Sequence, residues 1–183
     1  LRPASPPVYF GFGSARAPED LGKTMIETVR ALGRRAIVSR GWADLSLVDK
    51  EPDGLSIGEV NQQALFQRVA AVVHHGGAGT TTAAIGAGAP QVVIPQHHDQ
   101  FYFAQRVNDL GIGSAHPRVV PATDSLASAL KHTLQPGVAA RAQSIATAVR
   151  RDGALAAAQR LISADHRPQS ETGDPARVLW KLL

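Results

Sequence analysis

The stretch VVHHGGAGTT, Val72 to Thr81, decides how this chain is read. Ala70 to Val73 is a short apolar run, the pattern of a strand covered on both faces. Gly76, Gly77 and Gly79 follow, residues that accept positive φ and let a ligand come close to the backbone. Thr80 to Ala89 is then rich in Ala and Thr, with Gly86 and Gly88 near its end and Pro90 to stop it. Strand, glycine turn and helix start in this order aim free N–H groups above the sheet, where a helix end carries roughly half a positive charge. That is an anion site, and phosphate is the usual anion. His74 sits at the strand's C-terminal end, where open parallel sheets bind ligands. It is expected to donate to a phosphate oxygen, a role that an imidazole turned into the interior would overturn. His75 is left open between packing and binding, because neighbouring strand residues face opposite ways.

Upstream, Val8 to Phe12 reads as a first strand running into a second glycine turn, Gly11-Phe12-Gly13-Ser14. A helix is expected from Pro18 to Leu32, with Gly33 past its end. Gly11-x-Gly13 invites a dinucleotide fingerprint, but Arg16 stands where the third glycine belongs, so NAD is not expected. The better use of this turn is the Ser14 hydroxyl, reaching a phosphate from the far side of the cleft. Arg35 to Ser39 and Leu55 to Gly58 read as strands, and a helix runs through Leu65, Phe66 and Val69.

Downstream, Gln91 to Ile94 is a strand, Gln100 to Leu110 a helix and Gly111 to Ala115 a short strand. Thr123 is expected to cap a helix over 125–134. Further helices cover 136–149 and 153–162. Strands alternating with helices define an α/β fold, a doubly wound parallel sheet of about six strands with a helical C-terminal portion. One domain is expected over 1–163, after a Pro-rich lead-in at Leu1 to Pro7. A polar tail over 164–183 ends in the apolar RVLWKLL.

With 183 residues, 44% of them apolar, the chain can bury one full core. It has no Cys, hence no disulfide scaffold and no thiolate metal site. No run is apolar for long enough to span a bilayer, and the N-terminus is no signal peptide, so a cytoplasmic location is expected. The net charge of +4 is scattered and aromatics are few, which argues against nucleic acid. A mild positive field suits an anionic nucleotide, and also peripheral contact with an acidic membrane surface. His97-His98-Asp99 lacks the spaced partners of a metal site, and no metal is expected. Asp99-Gln100 at a helix start combines an acceptor with an amide that donates and accepts, which is what a sugar ring asks for. The competing reading of Asp99 is a plain helix cap.

HHGGAGTT at His74 to Thr81, GAPQVVIPQHHDQ at Gly88 to Gln100 and YFAQRVNDLGIG at Tyr102 to Gly113 resemble a known family. So do SRGWADL at Ser39 to Leu45 and GEVNQQALFQRVAAVVHHGG at Gly58 to Gly77. It is the C-terminal, donor-binding domain of family 1 glycosyltransferases of the GT-B fold. The branch is the one that glycosylates vancomycin-type antibiotics, with mycobacterial relatives acting on glycolipids. The resemblance runs from Val8 to Ile162.

It implies that His74, the turn at Gly76, Gly77, Ala78 and Gly79, and the Thr80 hydroxyl hold a diphosphate, with Ser14 nearby. It implies sugar contacts from Asp99 and Gln100. The base would lie near Val60 to Gln62, where Val60 replaces the stacking Trp of plant members and Trp42 is a substitute. Thr82 stands where many relatives carry a Glu for the ribose hydroxyls, so a dTDP-sugar fits as well as a UDP-sugar, and a rhamnose-like dTDP-deoxysugar is expected. The acceptor site and the catalytic base belong to an N-terminal domain. The chain alone is therefore expected to bind donor and to transfer little, with no metal or cofactor. Two alternatives stand beside this reading: a donor-binding subunit of a two-chain glycosyltransferase, and a sugar-nucleotide epimerase. The epimerase would need acid/base carboxylates, of which only Asp99 is offered.

Overall fold

Strand alternation sorts the apolar residues of the first strand, β1 (Val8–Gly11), onto two faces. Val8 and Phe10 join one core cluster and Tyr9 another. The same sorting recurs along β4 (Ala71–His74), where Ala71 and Val73 face the first cluster and Val72 the second. A sheet that is apolar on both faces has to be covered on both. The computed structural model describes residues 5–14, 20–42, 45, 51–117, 120–150 and 152–165.

The other strands are β2 (Ala36–Ser39), β3 (Gly54–Ile57), β5 (Gln91–Val93) and β6 (Gly113–Ala115). All six pair in parallel, in the order β3-β2-β1-β4-β5-β6. This is the strand order of dinucleotide-binding sheets, and its direction of winding reverses between β1 and β4. Gly11 lies opposite His74 in that pairing. The expected doubly wound sheet is thus the observed one, with strand ends displaced by a residue or two.

Helices α1 (Leu21–Ala31) and α5 (Thr123–Thr133) cover one face through Leu21, Met25, Leu126 and Leu130. The other face is covered by α2 (Gln62–Phe66) and α3 (Ala78–Ala87), with Phe66 edge-on to Tyr9 at 5.0 Å. Next to them, α4 (Gln100–Asp109) and α6 (Pro136–Ala148) bury Ala104, Val107 and Ala142 around Val93 and Ile112. Outside the core, a bidentate ion pair at 2.7 and 2.8 Å ties Arg30 of α1 to Asp53, just before β3.

One expectation is corrected. Thr123 opens α5 instead of capping it: the N-cap is Ala122, and the Thr123 hydroxyl donates across to Glu27 on α1 at 3.4 Å. By its internal contacts the chain divides into two compact units, Leu1–Val149 and Arg150–Leu183. The last helix, α7 (Gly153–Asp165), therefore belongs to the second unit, where it exposes Leu155, Leu161 and Ile162. The helix start expected at Pro18 and the RVLWKLL segment lie outside the described residues.

Leu130 is fully buried between α1 and the sheet. Leu130→Ala is expected to cost about 3 kcal/mol, lost methylenes plus residual cavity. Urea titration should show a lower midpoint at unchanged slope.

Candidate functional site: a crevice at the switch point

Two glycine turns leave the carboxyl ends of β1 and β4 side by side. After β1 the chain turns through Gly13, with Ser14 exposed at its end. A backbone bond from the Trp42 N–H to the Gly13 carbonyl, 2.9 Å, ties this turn to the loop after β2. The two backbones approach so closely at Gly41 that a Cβ there would lie 2.5 Å from that carbonyl oxygen.

After β4 the chain turns through Gly76 at φ +94°, where a Cβ would lie 2.7 Å from Val93 Cγ1. Gly77 caps α3, and the first intrahelical bond runs from the Thr81 N–H to the Gly77 carbonyl, 3.0 Å. The N–H groups of Ala78, Gly79 and Thr80 precede it and have no partner within the helix. The Thr80 hydroxyl makes no hydrogen bond among the described residues. Buried Thr81, by contrast, folds its hydroxyl back onto the Gly77 carbonyl at 2.9 Å.

The sequence assignment of His74 is overturned. His74 is fully buried, with Nε2 2.9 Å from Gln91 Oε1 and Nδ1 accepting from the Gly76 N–H at 3.1 Å. Both ring nitrogens are used inside the protein, and neither reaches the crevice. Strand parity is the reason: β4 includes residue 74, so its side chain takes the same face as Val72, beneath the helices. Burial lowers its pKa to about 4, against the opposing bond to Gln91 and with a smaller push from His75.

His75 occupies the position expected of His74. Its Cε1 would be 3.4 Å from a Cβ on Gly13, and its Nε2 2.5 Å from one on Gly77, so the ring stands between the two turns. The Phe12 ring lies 6.2 Å away. Its Nδ1 is buried with no hydrogen-bond partner among the described residues. Burial lowers the His75 pKa, His97 lowers it further, and Asp99 opposes both. His97 and Asp99 therefore lie within electrostatic range of the His75 ring. The signal for His75 was present in the sequence as the phase of the strand: ending β4 at Val73 instead of His74 left the choice open.

Of the expected sugar contacts, Asp99 is exposed at the start of α4 and makes no side-chain capping bond. Asp99 is the N-cap residue of α4, as the competing reading has it, but its carboxylate is left free of a capping bond. Gln100 is buried, and its Oε1 accepts from the N–H groups of Gln96 and His97 at 2.8 and 3.2 Å. It shapes the loop that carries His97, His98 and Asp99, in which His98 takes φ +55°.

The base and ribose candidates are more dispersed. Trp42 is 85% exposed and Val60 43% exposed, both on loops at the carboxyl rim of the sheet. Gln62 is half-buried at the start of α2, close enough to the Tyr9 hydroxyl to oppose, with Ser39, the rise in its pKa caused by burial. The Thr82 hydroxyl donates to the Ala78 carbonyl of its own helix at 2.7 Å. No group of three or more potential metal ligands converges among the described residues, and no helix among them is long and apolar enough to cross a membrane.

Fold and crevice together define the Rossmann-like half of a GT-B architecture. Residues 23–159 match the family described as Erythromycin biosynthesis protein CIII-like, C-terminal domain, and the chain belongs to it. It is 55% identical over 162 residues to a vancomycin aglycone glucosyltransferase of Amycolatopsis orientalis, covering 88% of this chain and 40% of that protein. A dTDP-epi-vancosaminyltransferase of the same organism is 49% identical over 151 residues, 79% of this chain and 38% of that one. The chain thus spans about two-fifths of the curated relatives it matches. Among solved structures, the glycosyltransferase of kitacinnamycin superposes with a TM-score of 0.75 at 26% identity, over 90% of this chain and 44% of that one.

His74 takes no proton in the folded chain until about pH 4, whereas an unfolded His titrates near 6.5. The unfolded state therefore binds the extra proton between these values, and stability rises with pH across that window. About 3 kcal/mol is present above pH 6.5 and lost on acidification to pH 4. Urea unfolding at pH 4.5, 5.5 and 7 is expected to show that loss, with a flatter dependence in His74→Asn.

Proposed function

We propose that this chain is the nucleotide-sugar-binding half of an inverting glycosyltransferase, one that transfers a hexose or deoxyhexose to a hydroxyl of a glycopeptide or glycolipid acceptor. The observation that carries this reading is the placement of His75 and the first-turn N–H groups of α3 together at the switch point. In this reading the diphosphate lies over Gly77, Ala78, Gly79 and Thr80, with Ser14 facing it from the β1 turn. Asp99 accepts from sugar hydroxyls, with His97 beside it. The base lies toward Val60 and Trp42.

In the proposed reaction the acceptor oxygen attacks the anomeric carbon while the bond from that carbon to the diphosphate oxygen breaks. A base on a partnering acceptor domain takes the acceptor's proton. This half stabilises the charge that develops on the departing nucleoside diphosphate, through oriented N–H groups and the His75 imidazole. No metal is required for that charge balance. Thr82 supplies no carboxylate to the ribose, and a relative is named for a dTDP-sugar, so a dTDP-sugar is the donor proposed here.

Calorimetric titration should show dTDP binding at least as tightly as UDP. A UDP affinity more than tenfold tighter would reverse the donor assignment. His75→Ala is expected to weaken either ligand about tenfold to a hundredfold, the loss of a hydrogen bond to a charged group. Failure of both nucleotides to raise the melting temperature would remove the site reading altogether.

The purified chain mixed with nucleotide sugar and a glycopeptide aglycone is expected to form no product. Supplying the acceptor domain of a relative in trans should restore some transfer, and product from the chain alone would place a base within it.

A further inference from the structure

We propose that His74 and Gln91 form a buried strut that sets the shape of the glycine turn, so that His74 is a positioning residue for the diphosphate site. The inference rests on the nucleotide-binding reading of the crevice.

The tautomer follows from the geometry. The Gly76 N–H points at Nδ1 at 3.1 Å, so Nδ1 carries no proton. The single ring proton is then on Nε2 and donates to Gln91 Oε1 at 2.9 Å. Turning the Gln91 amide over would set two donors against each other, so the amide orientation is fixed too. Its Nε2 group is left buried with no partner among the described residues. Two apolar side chains would fill this space without burying an unpaired amide, so the polar pair is not the most stabilising filling. Its distinctive property is a directional hold on one backbone N–H.

That N–H belongs to a residue of the turn whose backbone is closely confined. Gly76 is at φ +94°, between Val93 Cγ1 and the Gln100 backbone oxygen, which would lie 2.7 and 3.1 Å from a Cβ there. Without His74 its N–H would face the core unpaired, at the full penalty of a buried donor. The strut thus runs from β5 through the end of β4 into the turn, and His75 lies between its two fixed points, His74 and Gly76. Gly77, next along, starts α3 by accepting from both the Thr81 N–H and the Thr81 hydroxyl. Orientation of an imidazole by a bond on its second nitrogen is familiar from metal sites; here the oriented group holds backbone instead.

The test uses this chain with three substitutions. In His74→Asn, Oδ1 stands near the place of Nδ1 and keeps an acceptor for Gly76. His74→Leu removes acceptor and donor together. Gln91→Met releases the ring and leaves the acceptor. The probes are UDP and dTDP by calorimetry, amide exchange at Gly76, and 15N NMR of the ligand-free chain.

The unaltered chain should show a scalar coupling between the Gly76 amide nitrogen and His74 Nδ1, with the ring proton on Nε2. His74→Asn should bind within threefold of it. His74→Leu should bind at least tenfold more weakly and exchange the Gly76 amide faster, with far-ultraviolet dichroism intact. A proton on Nδ1, or His74→Leu binding as tightly as the parent, overturns the proposal. Should His74→Leu not fold, Gln91→Met decides: threefold or greater weakening supports the strut, and unchanged affinity overturns it. If the unaltered chain binds neither nucleotide, the nucleotide reading fails, while the coupling and the exchange rates still decide whether the strut exists.

Discussion

The parallel pairing of β1 with β4 is the constraint on which the rest depends. Gly11 lies opposite His74, so the turns that follow these strands emerge about one strand spacing apart. From β1 the chain winds outward to β2 and β3, and from β4 outward to β5 and β6. Right-handed crossovers then place covering helices on opposite faces of the two halves. After β1 the chain leads to α1 on one face, after β4 to α3 on the other, and the gap between those two turns is the crevice. The bond from Trp42 to Gly13 draws the β2 loop into the same rim.

The adjacent histidines show how one strand end can separate two tasks. His74 is enclosed, hydrogen-bonded at both nitrogens and held neutral by burial. His75 lies between the two turns, with a ring nitrogen unpaired among the described residues, and is held toward neutrality by burial and by His97. The rings are 6.4 Å apart and nearly perpendicular. An anion at the crevice reverses the balance on His75, because a charge of opposite sign favours the protonated ring. It has little hold on His74, whose proton would need a place in the core.

Much of the fold was legible in the sequence, for reasons that particular residues make plain. Val8 to Phe10 and Ala71 to Val73 are apolar at every position, which only a doubly covered strand requires. Gly33 and Gly88 end helices at positive φ, and Pro136 starts one. What the residues alone could not show shares one physical cause. Thr123 and Gln100 carry polar groups whose partners, Glu27 and the loop at 96–97, become neighbours only when the chain folds. A side chain suited to a sugar or a base is equally suited to a buried backbone group.

By itself the sequence determined that this is a doubly wound α/β chain with a glycine turn after its central strand, because periodicity and turn chemistry are local. Only the tertiary structure decided which histidine stands between the two turns. The choice depends on where β4 ends and on Gln91, a residue 17 positions away that waits on the neighbouring strand for the His74 ring. Side-chain direction at a strand end is set by the register of the whole sheet, and that register does not exist until the strands have met.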